Sequence, residues 1–434
     1  MGGMKELAER VKELEDQLVT CIRCGTCQAV CPLYGTTGKE ADVARGKLAL
    51  IDALMRDMFA DADGVEERLN RCLLCGSCAA NCPSGVNVVE IFAKARAILA
   101  EYKGFSTAEK FLFRRLLSNP KMFDRVCEWM ERFQAVFTKK DDNFQNTSCA
   151  RFVSPLTGHR HIKRLAPVPF HKSGFGPEKK PENTGPSVLF FTGCLIDKVY
   201  PDIAFDTIQA LEHHNFNAII PKGQGCCGIP ALASGDREAF TRLVQYHLEL
   251  FLDIRADHIV TSCATCTSTI KKLWPVMYER AGTSTRNRLL DISNKTMDIS
   301  LLLDDLIKPQ GEPAPDPAVS PGVTYHDPCH LARSLGVTEE PRNLIRAAGK
   351  NLVEMPDAAR CCGMGGSFNL KYYDLSADIG SIKADSILST GCGTVATSCP
   401  ACMMQISDML AKKKKNLYVR HPVQLYADAI RNNL

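Results

Sequence analysis

The 434-residue sequence lacks an uninterrupted apolar stretch of about 18 residues, the length that a membrane-spanning helix needs. Residues 1–20 are heavily charged, with no apolar core segment and no paired arginines, so they contain neither a secretory nor a twin-arginine signal. A Gly-x-Gly-x-x-Gly motif after a strand and a phosphate-binding loop are also missing, which argues against a flavin or nucleotide site. We therefore expect a cytoplasmic protein that could lie at the inner face of the membrane through a partner.

Cysteine, by contrast, is abundant, with 21 residues. In a long, charged chain without an export signal, such abundance indicates metal or redox chemistry rather than a disulfide framework. Ten of the cysteines form one pattern twice: Cys194, Cys226-Cys227-Gly228 and Cys263-x-x-Cys266, then Cys329, Cys361-Cys362-Gly363 and Cys399-x-x-Cys402. The lone cysteine precedes the pair by 32 residues in both copies, and the pair precedes the last motif by 36 and 37 residues. This spacing predicts a duplicated domain that is constrained by a metal site.

Short apolar strands alternate with helices in both copies. The predicted strands are 188–195, 217–221 and 258–263 in the first copy, and 323–330, 351–356 and 395–399 in the second. A closing strand and helix follow at 296–307 and at 417–430. Such alternation predicts mainly parallel sheets, in which ligands collect at the carboxyl ends of the strands. All five cysteines of each copy lie at or just after a strand end.

Five thiolates per copy, two of them adjacent, exceed what tetrahedral zinc binds. Adjacent cysteines can instead bind neighbouring irons of an extended cluster, and the following glycine would let the backbone turn close to inorganic sulfur. Zinc in one copy stays an alternative, since four of the five cysteines would suffice. His326 and His330 have no counterparts in the first copy and could tune or ligate a cluster, the alternative being that they are hydrogen-bonded core residues. Cys392, which has no counterpart either, is left outside the site.

The N-terminal part carries a four-cysteine motif twice, as Cys21-x2-Cys24-x2-Cys27-x3-Cys31-Pro32 and as Cys72-x2-Cys75-x2-Cys78-x3-Cys82-Pro83. In this ferredoxin pattern, three close thiolates and the fourth cysteine of the other motif hold one [4Fe–4S] cluster. The predicted ligand sets are Cys21, Cys24, Cys27 and Cys82 for one cubane cluster and Cys72, Cys75, Cys78 and Cys31 for the other. Structural zinc would leave the third cysteine of each motif unexplained.

Helical periodicity at 42–59 and 86–102 makes this domain all-α, and Leu7, Val11, Leu14 and Leu18 predict an amphipathic helix that covers it. The formal net charge of +4 counts no thiolates, and each cluster would carry about −2, so the charge does not favour nucleic-acid binding.

Residues 107–137 predict two helices broken at Asn119-Pro120, with their aromatic and methionine side chains in the core. From 138 to 186 the chain is rich in Pro, Gly, Lys and His without periodicity, which predicts a linker in which His159, His161 and His171 are solvated. The fold class is therefore multidomain α + α/β. The predicted domains are an α-helical ferredoxin domain at 1–105, a helical segment and linker at 106–186, a cysteine-rich domain at 187–308, a Pro-rich linker at 309–321, and a second cysteine-rich domain at 322–434.

The two ferredoxin motifs, the Arg45-Gly46-Lys47 sequence after the first of them, and the two five-cysteine repeats cover nearly the whole chain. Together they resemble the iron–sulfur subunit of glycolate oxidase and the related D-lactate dehydrogenases, and also the catalytic iron–sulfur subunit of heterodisulfide reductase. The resemblance implies two cubane [4Fe–4S] clusters and one or two noncubane [4Fe–4S] clusters in the cysteine-rich domains.

The resemblance also implies a function. The chain would relay electrons from an FAD-containing 2-hydroxy-acid (D-lactate or glycolate) dehydrogenase subunit to a quinone-linked membrane partner, a haem partner or another acceptor. The alternative is a heterodisulfide-reductase-like subunit in which a noncubane cluster reduces a disulfide. Arg45-Gly46-Lys47 and Val419-Arg420-His421-Pro422 favour the first interpretation, and the isolated chain is then not expected to act on the acid itself.

Overall fold

A computed structural model of the protein describes residues 3–58, 61–141, 147–150, 160–174, 185–278, 282–307 and 322–432. Its N-terminal part is all-α, as the sequence predicts. The helices are α1 Met4–Val11, α2 Glu15–Leu18, α3 Thr26–Val30, α4 Pro32–Thr37, α5 Ala44–Met55, α6 Ala62–Asn70, α7 Ser77–Ala80 and α8 Val88–Lys103, with 3₁₀ turns at Lys12–Leu14 and Glu40–Asp42. Leu7, Val11, Leu14 and Leu18 are all buried and join the core of this domain.

The cysteine motifs determine where the short helices begin. Gly25 and Gly76, with φ of 87° and 70°, immediately precede α3 and α7, and only glycine adopts such a left-handed conformation at little cost. Helix α4 begins at Pro32, where the fixed φ of proline suits the first helical position. The Cys31 thiol caps the same helix, with Sγ 3.5 Å from the Tyr34 backbone N. Each motif is therefore a tight loop that ends in a short helix.

The predicted break at Asn119-Pro120 separates helix α9 Thr107–Lys110, which continues as a π-helix over Phe111–Leu117, from helix α10 Pro120–Phe137. The expectation that the aromatic and methionine side chains here lie in the core is wrong for most of α10, although Phe123 packs against the buried cluster of the first repeat. Trp129 is 60% exposed and Phe137 59% exposed, because α10 turns its buried side, with Cys127, toward the first repeat.

The segment predicted as a linker contains regular structure. Strands β1 Thr138–Asp141, β2 Thr147–Ala150 and β3 His161–Lys163 form an antiparallel sheet. His171, in the 3₁₀ turn Phe170–Lys172, is not a free, solvated side chain, because its Nδ1 lies 3.0 Å from Asp197 Oδ1. The backbone N–H of His161 donates to Asp408 over 2.8 Å. His159 and the Pro-rich segment 309–321 lie outside the described residues.

The first repeat comprises β4 Ser187–Phe190, α11 Gly193–Lys198, α12 Pro201–His213, β5 Asn217–Ile219, α13 Ile229–Ala233, α14 Arg237–Leu250, β6 His258–Thr261, α15 Ala264–Ser268, a π-helix Thr269–Leu273, α16 Trp274–Met277, α17 Thr283–Lys295, β7 Thr296–Asp298 and α18 Ile299–Asp304. The second comprises β8 Val323–Tyr325, α19 Cys329–Leu335, α20 Glu339–Ala347, α21 Ser367–Lys371, α22 Tyr373–Leu388, β9 Thr394–Ala396, α23 Pro400–Lys412, β10 Tyr418–Arg420 and α24 Pro422–Arg431.

Both repeats have parallel sheets, in the orders β5-β4-β6-β7 and β10-β9-β8. Central strands such as β4 are buried, which explains why they appear in the amino-acid sequence as short, continuous apolar stretches. The strand predicted at 351–356 is reduced to a single parallel bridge between Leu352 and Val323. With that bridge in the place of β5, the strand order of the second repeat matches that of the first, which confirms the predicted fold class.

The repeats pack together through α12 against α24, α18 against α20, and α15 against α19. The N-terminal domain contacts both. Arg96, 3% exposed, donates hydrogen bonds to the carbonyl groups of Leu69, Cys72 and Ala233, and so joins α8 to the first repeat. Toward the second repeat, Leu33, Leu73 and Cys75 share a small core with Cys361, Phe368 and Ile379.

Candidate metal centres

The cysteines of the N-terminal domain surround two cavities. One is lined by Cys21, Cys24, Cys27 and Cys82, and the other by Cys72, Cys75, Cys78 and Cys31. Each cavity thus takes three cysteines from one motif and the last cysteine of the other motif. Cys78 also borders the first cavity, so the two cavities are neighbours. The structure brings the cysteines together in the crossed arrangement that the sequence predicts.

The first cavity lies at the protein surface, because Cys24 is exposed. The Cys24 Sγ is 3.3 Å from the Thr26 hydroxyl, and this hydrogen bond lowers the pKa of the Cys24 thiol. Arg45 packs beside the loop, and its guanidinium donates to the Arg23 carbonyl over 3.3 Å and pairs with Glu40 over 2.7 Å. This cavity is thus in reach of a partner protein.

The second cavity is deeper. Burial raises the pKa of Cys31 to about 11, and contact with Cys361, followed by burial, raises the pKa of Cys75. Lys47 lines this cavity and is 1% exposed, and burial lowers the pKa of its ammonium group. A buried lysine beside four thiols is positioned to offset negative charge on them.

The Arg45-Gly46-Lys47 sequence has a structural explanation. Arg45 borders the first cavity and Lys47 the second, so the tripeptide places one cation beside each. Gly46 is required between them, because a Cβ at this position would lie 2.0 Å from the Glu40 carbonyl oxygen. Any larger residue would force α5 away from the 3₁₀ turn at Glu40–Asp42.

In the first repeat, the five cysteine side chains form one continuous series of contacts. Cys194 Sγ lies 3.9 Å from Cys226 Sγ. Cys226 contacts Cys227, Cys227 contacts Cys266, and Cys266 contacts Cys263. Hydrogen bonds from Cys226 and Cys266 lower the pKa of Cys227, whereas contact with Cys194 raises the pKa of Cys226. The lone cysteine, the pair and the last motif therefore meet, as the spacing predicts.

The second repeat has the same series. Cys329 contacts Cys361, Cys361 contacts Cys362, and Cys362 Sγ lies 3.4 Å from Cys402 Sγ, which in turn contacts Cys399. Hydrogen bonds from Cys361 and Cys402 lower the pKa of Cys362. The adjacent cysteine pair occupies the centre of the series in both repeats.

These sets touch one another. Cys75 of the N-terminal domain contacts Cys361 of the second repeat, and Cys399 of the second repeat contacts Cys263 of the first. The Ala264 N–H also donates to the Ser398 carbonyl over 2.9 Å, which ties the two last-motif loops together. The four cysteine sets therefore follow one another in the order first cavity, second cavity, second repeat and first repeat. Sequence spacing carries no signal for this order, since it depends on domain docking.

The glycines after the cysteine pairs are required by packing, and their backbone N–H groups also face sulfur, with Gly228 N 3.5 Å from Cys226 Sγ and Gly363 N 3.5 Å from Cys361 Sγ. Gly228 and Gly363 have φ of 98° and 92°. A Cβ on Gly228 would lie 2.7 Å from the Phe240 ring, and one on Gly363 would lie 2.5 Å from the Ser376 carbonyl oxygen. Gly193 also lies close to a thiol of the first repeat, because a Cβ at this position would lie 2.9 Å from Cys266 Sγ.

Cys392 and Cys127, which belong to none of the predicted ligand sets, differ in their surroundings. Cys392 is buried and contacts the Thr390 carbonyl. Cys127 in α10 lies close enough to Cys194 for the charges of the two groups to interact, and burial raises the pKa of Cys127 to about 11. A cysteine contributed by another domain has no spacing signature, so the sequence could not have linked Cys127 to the first repeat.

His330 is half-buried and hydrogen-bonded, as in the second of the two roles predicted for it. Its Nδ1 lies 3.0 Å from the Thr265 hydroxyl, which in turn lies 3.3 Å from Cys399 Sγ. Its ring also interacts with the Leu74 backbone in the second ferredoxin motif. His330 therefore lies where the two repeats meet the N-terminal domain.

The donor sets fit iron–sulfur clusters. The 20 cysteines whose side chains the structure describes are all free thiols. Buried thiols whose pKa values are raised, such as Cys31 and Cys226, stay protonated unless a cation offsets their charge. Iron supplies that charge, because metal-bound thiols are deprotonated. Four cysteines around each N-terminal cavity suit a cubane cluster, and five cysteines with a central adjacent pair exceed the needs of tetrahedral zinc.

The fold and the cysteine sets define an iron–sulfur protein with a ferredoxin domain and two cysteine-rich α/β domains. Comparison with protein families gives the same division. The 4Fe-4S dicluster domain matches residues 17–86, and the cysteine-rich domain named CCG matches twice, at 188–271 and 323–407.

Three relatives cover most of the chain. A fumarate reductase (CoM/CoB) subunit of Methanothermobacter marburgensis is 30% identical over 91% of this chain and 68% of its own length. The Bacillus subtilis protein named for the glycolate oxidase iron-sulfur subunit is 27% identical over 93% and 92%. A subunit of the dihydromethanophenazine:CoB–CoM heterodisulfide reductase of Methanosarcina barkeri is 25% identical over 95% and 94%.

The chain belongs to this family of iron–sulfur subunits, in which a 4Fe-4S dicluster domain precedes two cysteine-rich domains. The resemblance recognised from the cysteine motifs is thereby confirmed. Its relatives are subunits of oxidoreductase complexes, and the chain is an electron-transfer subunit of that kind. Among the described residues, no helix combines the length and the apolar character needed to cross a bilayer.

Proposed function

We propose that this chain relays electrons from an FAD-containing 2-hydroxy-acid dehydrogenase subunit, which oxidises D-lactate or glycolate, to a quinone or another acceptor. Clusters bound by the cysteines would supply one-electron transfer. In this proposal, two cubane [4Fe–4S] clusters lie in the N-terminal cavities and one noncubane cluster lies in each repeat. The observation that carries the proposal is the succession of adjoining cysteine sets, in which the two N-terminal cavities meet at Cys78, Cys75 contacts Cys361, and Cys399 contacts Cys263.

The exposed end of this series is suited to docking. Arg23, Arg45 and Arg56 surround a surface depression beside Cys21, with Asp52 among them. The Arg23 side chain is 69% exposed and its contact with Asp52 is 3.2 Å. Exposed charges at the rim of an interface chiefly change the rate of association. We therefore place the docking site of the flavin subunit at this cationic surface.

The relay is tested by anaerobic reduction of the purified chain, followed by visible absorbance. The isolated chain should be inert toward D-lactate and glycolate, because iron–sulfur centres take single electrons and the two-electron oxidation needs a flavin. Adding the flavin partner with either acid should bleach the clusters. An absence of bleaching in a sample that dithionite does bleach would contradict the relay.

A matched pair of charge reversals tests the docking surface. Arg23→Glu should slow reduction by the flavin partner several-fold and leave reduction by dithionite unchanged. Arg242→Glu is the control, because Arg242 is also exposed and paired with a carboxylate but lies in the first repeat, on α14. Equal rates in both variants would remove the proposed docking site without removing the relay.

One observation favours the alternative function of disulfide reduction. The two five-cysteine sets adjoin through Cys263 and Cys399, so two clusters would lie side by side, and one relative is named a heterodisulfide reductase subunit. With reduced methyl viologen as donor, the isolated chain should not reduce a thiol-derived disulfide if it is a relay. Steady turnover that is abolished in Cys227→Ser and Cys362→Ser would replace the relay assignment.

A further inference from the structure

His326 lies just after β8, three residues before Cys329, and its side chain is fully buried. Its Nδ1 is 3.1 Å from the Ala358 carbonyl oxygen. A carbonyl oxygen only accepts hydrogen bonds, so Nδ1 carries the ring proton. In the neutral ring, Nε2 then presents a lone pair.

That lone pair has no hydrogen-bond partner within the described part of the chain, and the Nε2 atom is buried. One ring nitrogen of His326 and the Sγ atoms of Cys362 and Cys402 lie within 4.8 Å of one another. Because Nδ1 is hydrogen-bonded to the Ala358 carbonyl, Nε2 is the nitrogen that could bind a metal together with these two thiols. A buried polar atom without a partner is costly, so an unpartnered nitrogen beside two thiols points to a ligand.

We propose that His326 Nε2 binds the metal of the second cysteine-rich site and adds an imidazole to its five thiolates. This inference rests on the proposed iron–sulfur cluster at that site. A histidine that donates one ring N–H to a backbone carbonyl and turns its other nitrogen to a metal is a common arrangement in metalloproteins.

Among its described residues, the first repeat offers no equivalent ligand. Counting back three residues from Cys194 gives Phe191, which is fully buried and packs against the His247 ring. Both nitrogens of His247 are engaged, Nδ1 with the Leu243 carbonyl at 2.8 Å and Nε2 with the Gly225 N–H at 3.1 Å. The two sites thus have the same thiols and differ in one nitrogen donor.

His421 shows why an unpartnered nitrogen alone is insufficient. Its Nε2 is also buried without a partner in the described residues. However, its Nδ1 accepts the Val423 N–H over 3.1 Å, so in the neutral ring Nε2 carries the proton and has no lone pair for a metal. His326 has the opposite tautomer. Of the two histidines, only His326 lies within ligand distance of two thiols, those of Cys362 and Cys402.

The test is pulsed electron paramagnetic resonance on the anaerobic holoprotein, grown with histidine containing either ¹⁴N or ¹⁵N. We expect a cluster signal coupled to a histidine nitrogen, with the coupling changed by the isotope; this comparison needs no mutation. His326→Phe should abolish the coupling. His330→Leu is the control and should keep it. Each variant installs the residue that stands at that position in the first repeat.

The outcomes separate the two proposals. An iron content near eight per chain, which the N-terminal domain alone would hold, would overturn both the cluster at the second repeat and its histidine ligand. Full iron content without histidine coupling in the wild type, or coupling that persists in His326→Phe, would overturn the histidine ligand alone. Loss of the coupling in both variants would also overturn it, since His330 would then be equally responsible.

Discussion

The crossing of cysteines between the two ferredoxin motifs can be tested with two serine substitutions. Cys31 lies in the cavity of Cys72, Cys75 and Cys78, and Cys82 lies in the cavity of the first motif. Cys31→Ser should therefore damage the cluster built mainly by the second motif, and Cys82→Ser should damage the other one. Each variant removes one thiolate of four and leaves the partner cavity unchanged.

The expected magnitude is a loss of up to about four irons per chain, from about eight in the N-terminal domain and up to about eight in the repeats. Unfolding should not confuse the result for Cys31→Ser. The Cys31 thiol caps α4 at 3.5 Å from the Tyr34 N, and a serine hydroxyl is a favourable cap at that position. Apart from cluster loss, we expect the substitution to change the free energy of unfolding by less than about 1 kcal/mol.

The assay is low-temperature electron paramagnetic resonance of the dithionite-reduced proteins, together with iron and labile-sulfide analysis. Cys392→Ser is the control, because Cys392 is buried outside the four cysteine sets and its thiol contacts the Thr390 carbonyl. The two variants should lose different signals, and the control should lose neither. If each variant loses the signal of its own motif, the crossed assignment is wrong.

Three further predictions concern stability, each measured by anaerobic unfolding of the holoprotein. Gly363→Ala should destabilise more than Gly228→Ala by about 1 kcal/mol or more, because both require positive φ but only the first forces a Cβ onto a backbone oxygen; equal losses would contradict this. Burial raises the pKa of Asp298 to about 7. Since the unfolded chain loses this proton at lower pH, the free energy of unfolding of the wild type should fall by up to about 4 kcal/mol as the pH rises from about 4 to about 7. Asp298→Asn should not show this loss. Arg96→Met should cost at least about 2 kcal/mol by leaving the buried carbonyls of Cys72 and Ala233 without their donor, since the Leu69 carbonyl keeps the Cys72 N–H; a smaller loss would contradict this.

Much of the fold could be predicted because metal ligands constrain spacing more tightly than packing does. The repeat of Cys194 at Cys329 identified the duplication, and the short apolar runs between cysteines identified parallel strands. The failures have physical causes. The strands β1 to β3 lack alternation, and the segment 351–356 forms only one bridge at Leu352, so neither could be assigned correctly from periodicity.

For the cysteine sites, too, some features could be predicted from the sequence and others could not. The sequence predicted that Cys194, Cys226 and Cys263 converge, because these residues follow neighbouring parallel strands. The contact between Cys75 and Cys361 could not be predicted, because it depends on how two domains dock. The opposite tautomers of His326 and His421 could not be predicted either, since each is selected by a backbone hydrogen bond that only the folded chain shows, to the Ala358 carbonyl in one case and from the Val423 N–H in the other.

Docking gives the two repeats different positions in the same protein. Duplication alone would make the cysteine sets equivalent, since both have the same series of contacts around an adjacent pair. The N-terminal domain removes this equivalence, because Cys75 contacts Cys361 of the second repeat, whereas Arg96 reaches the first repeat at the Ala233 carbonyl of α13. The first set is joined to the series through Cys399 and Cys263. The second repeat is therefore the intermediate set and the first repeat the terminal one. Among the described residues, the thiol contacts between the ferredoxin domain and the first repeat pass through the second repeat. His326, the proposed ligand that distinguishes the two repeats, lies on this path.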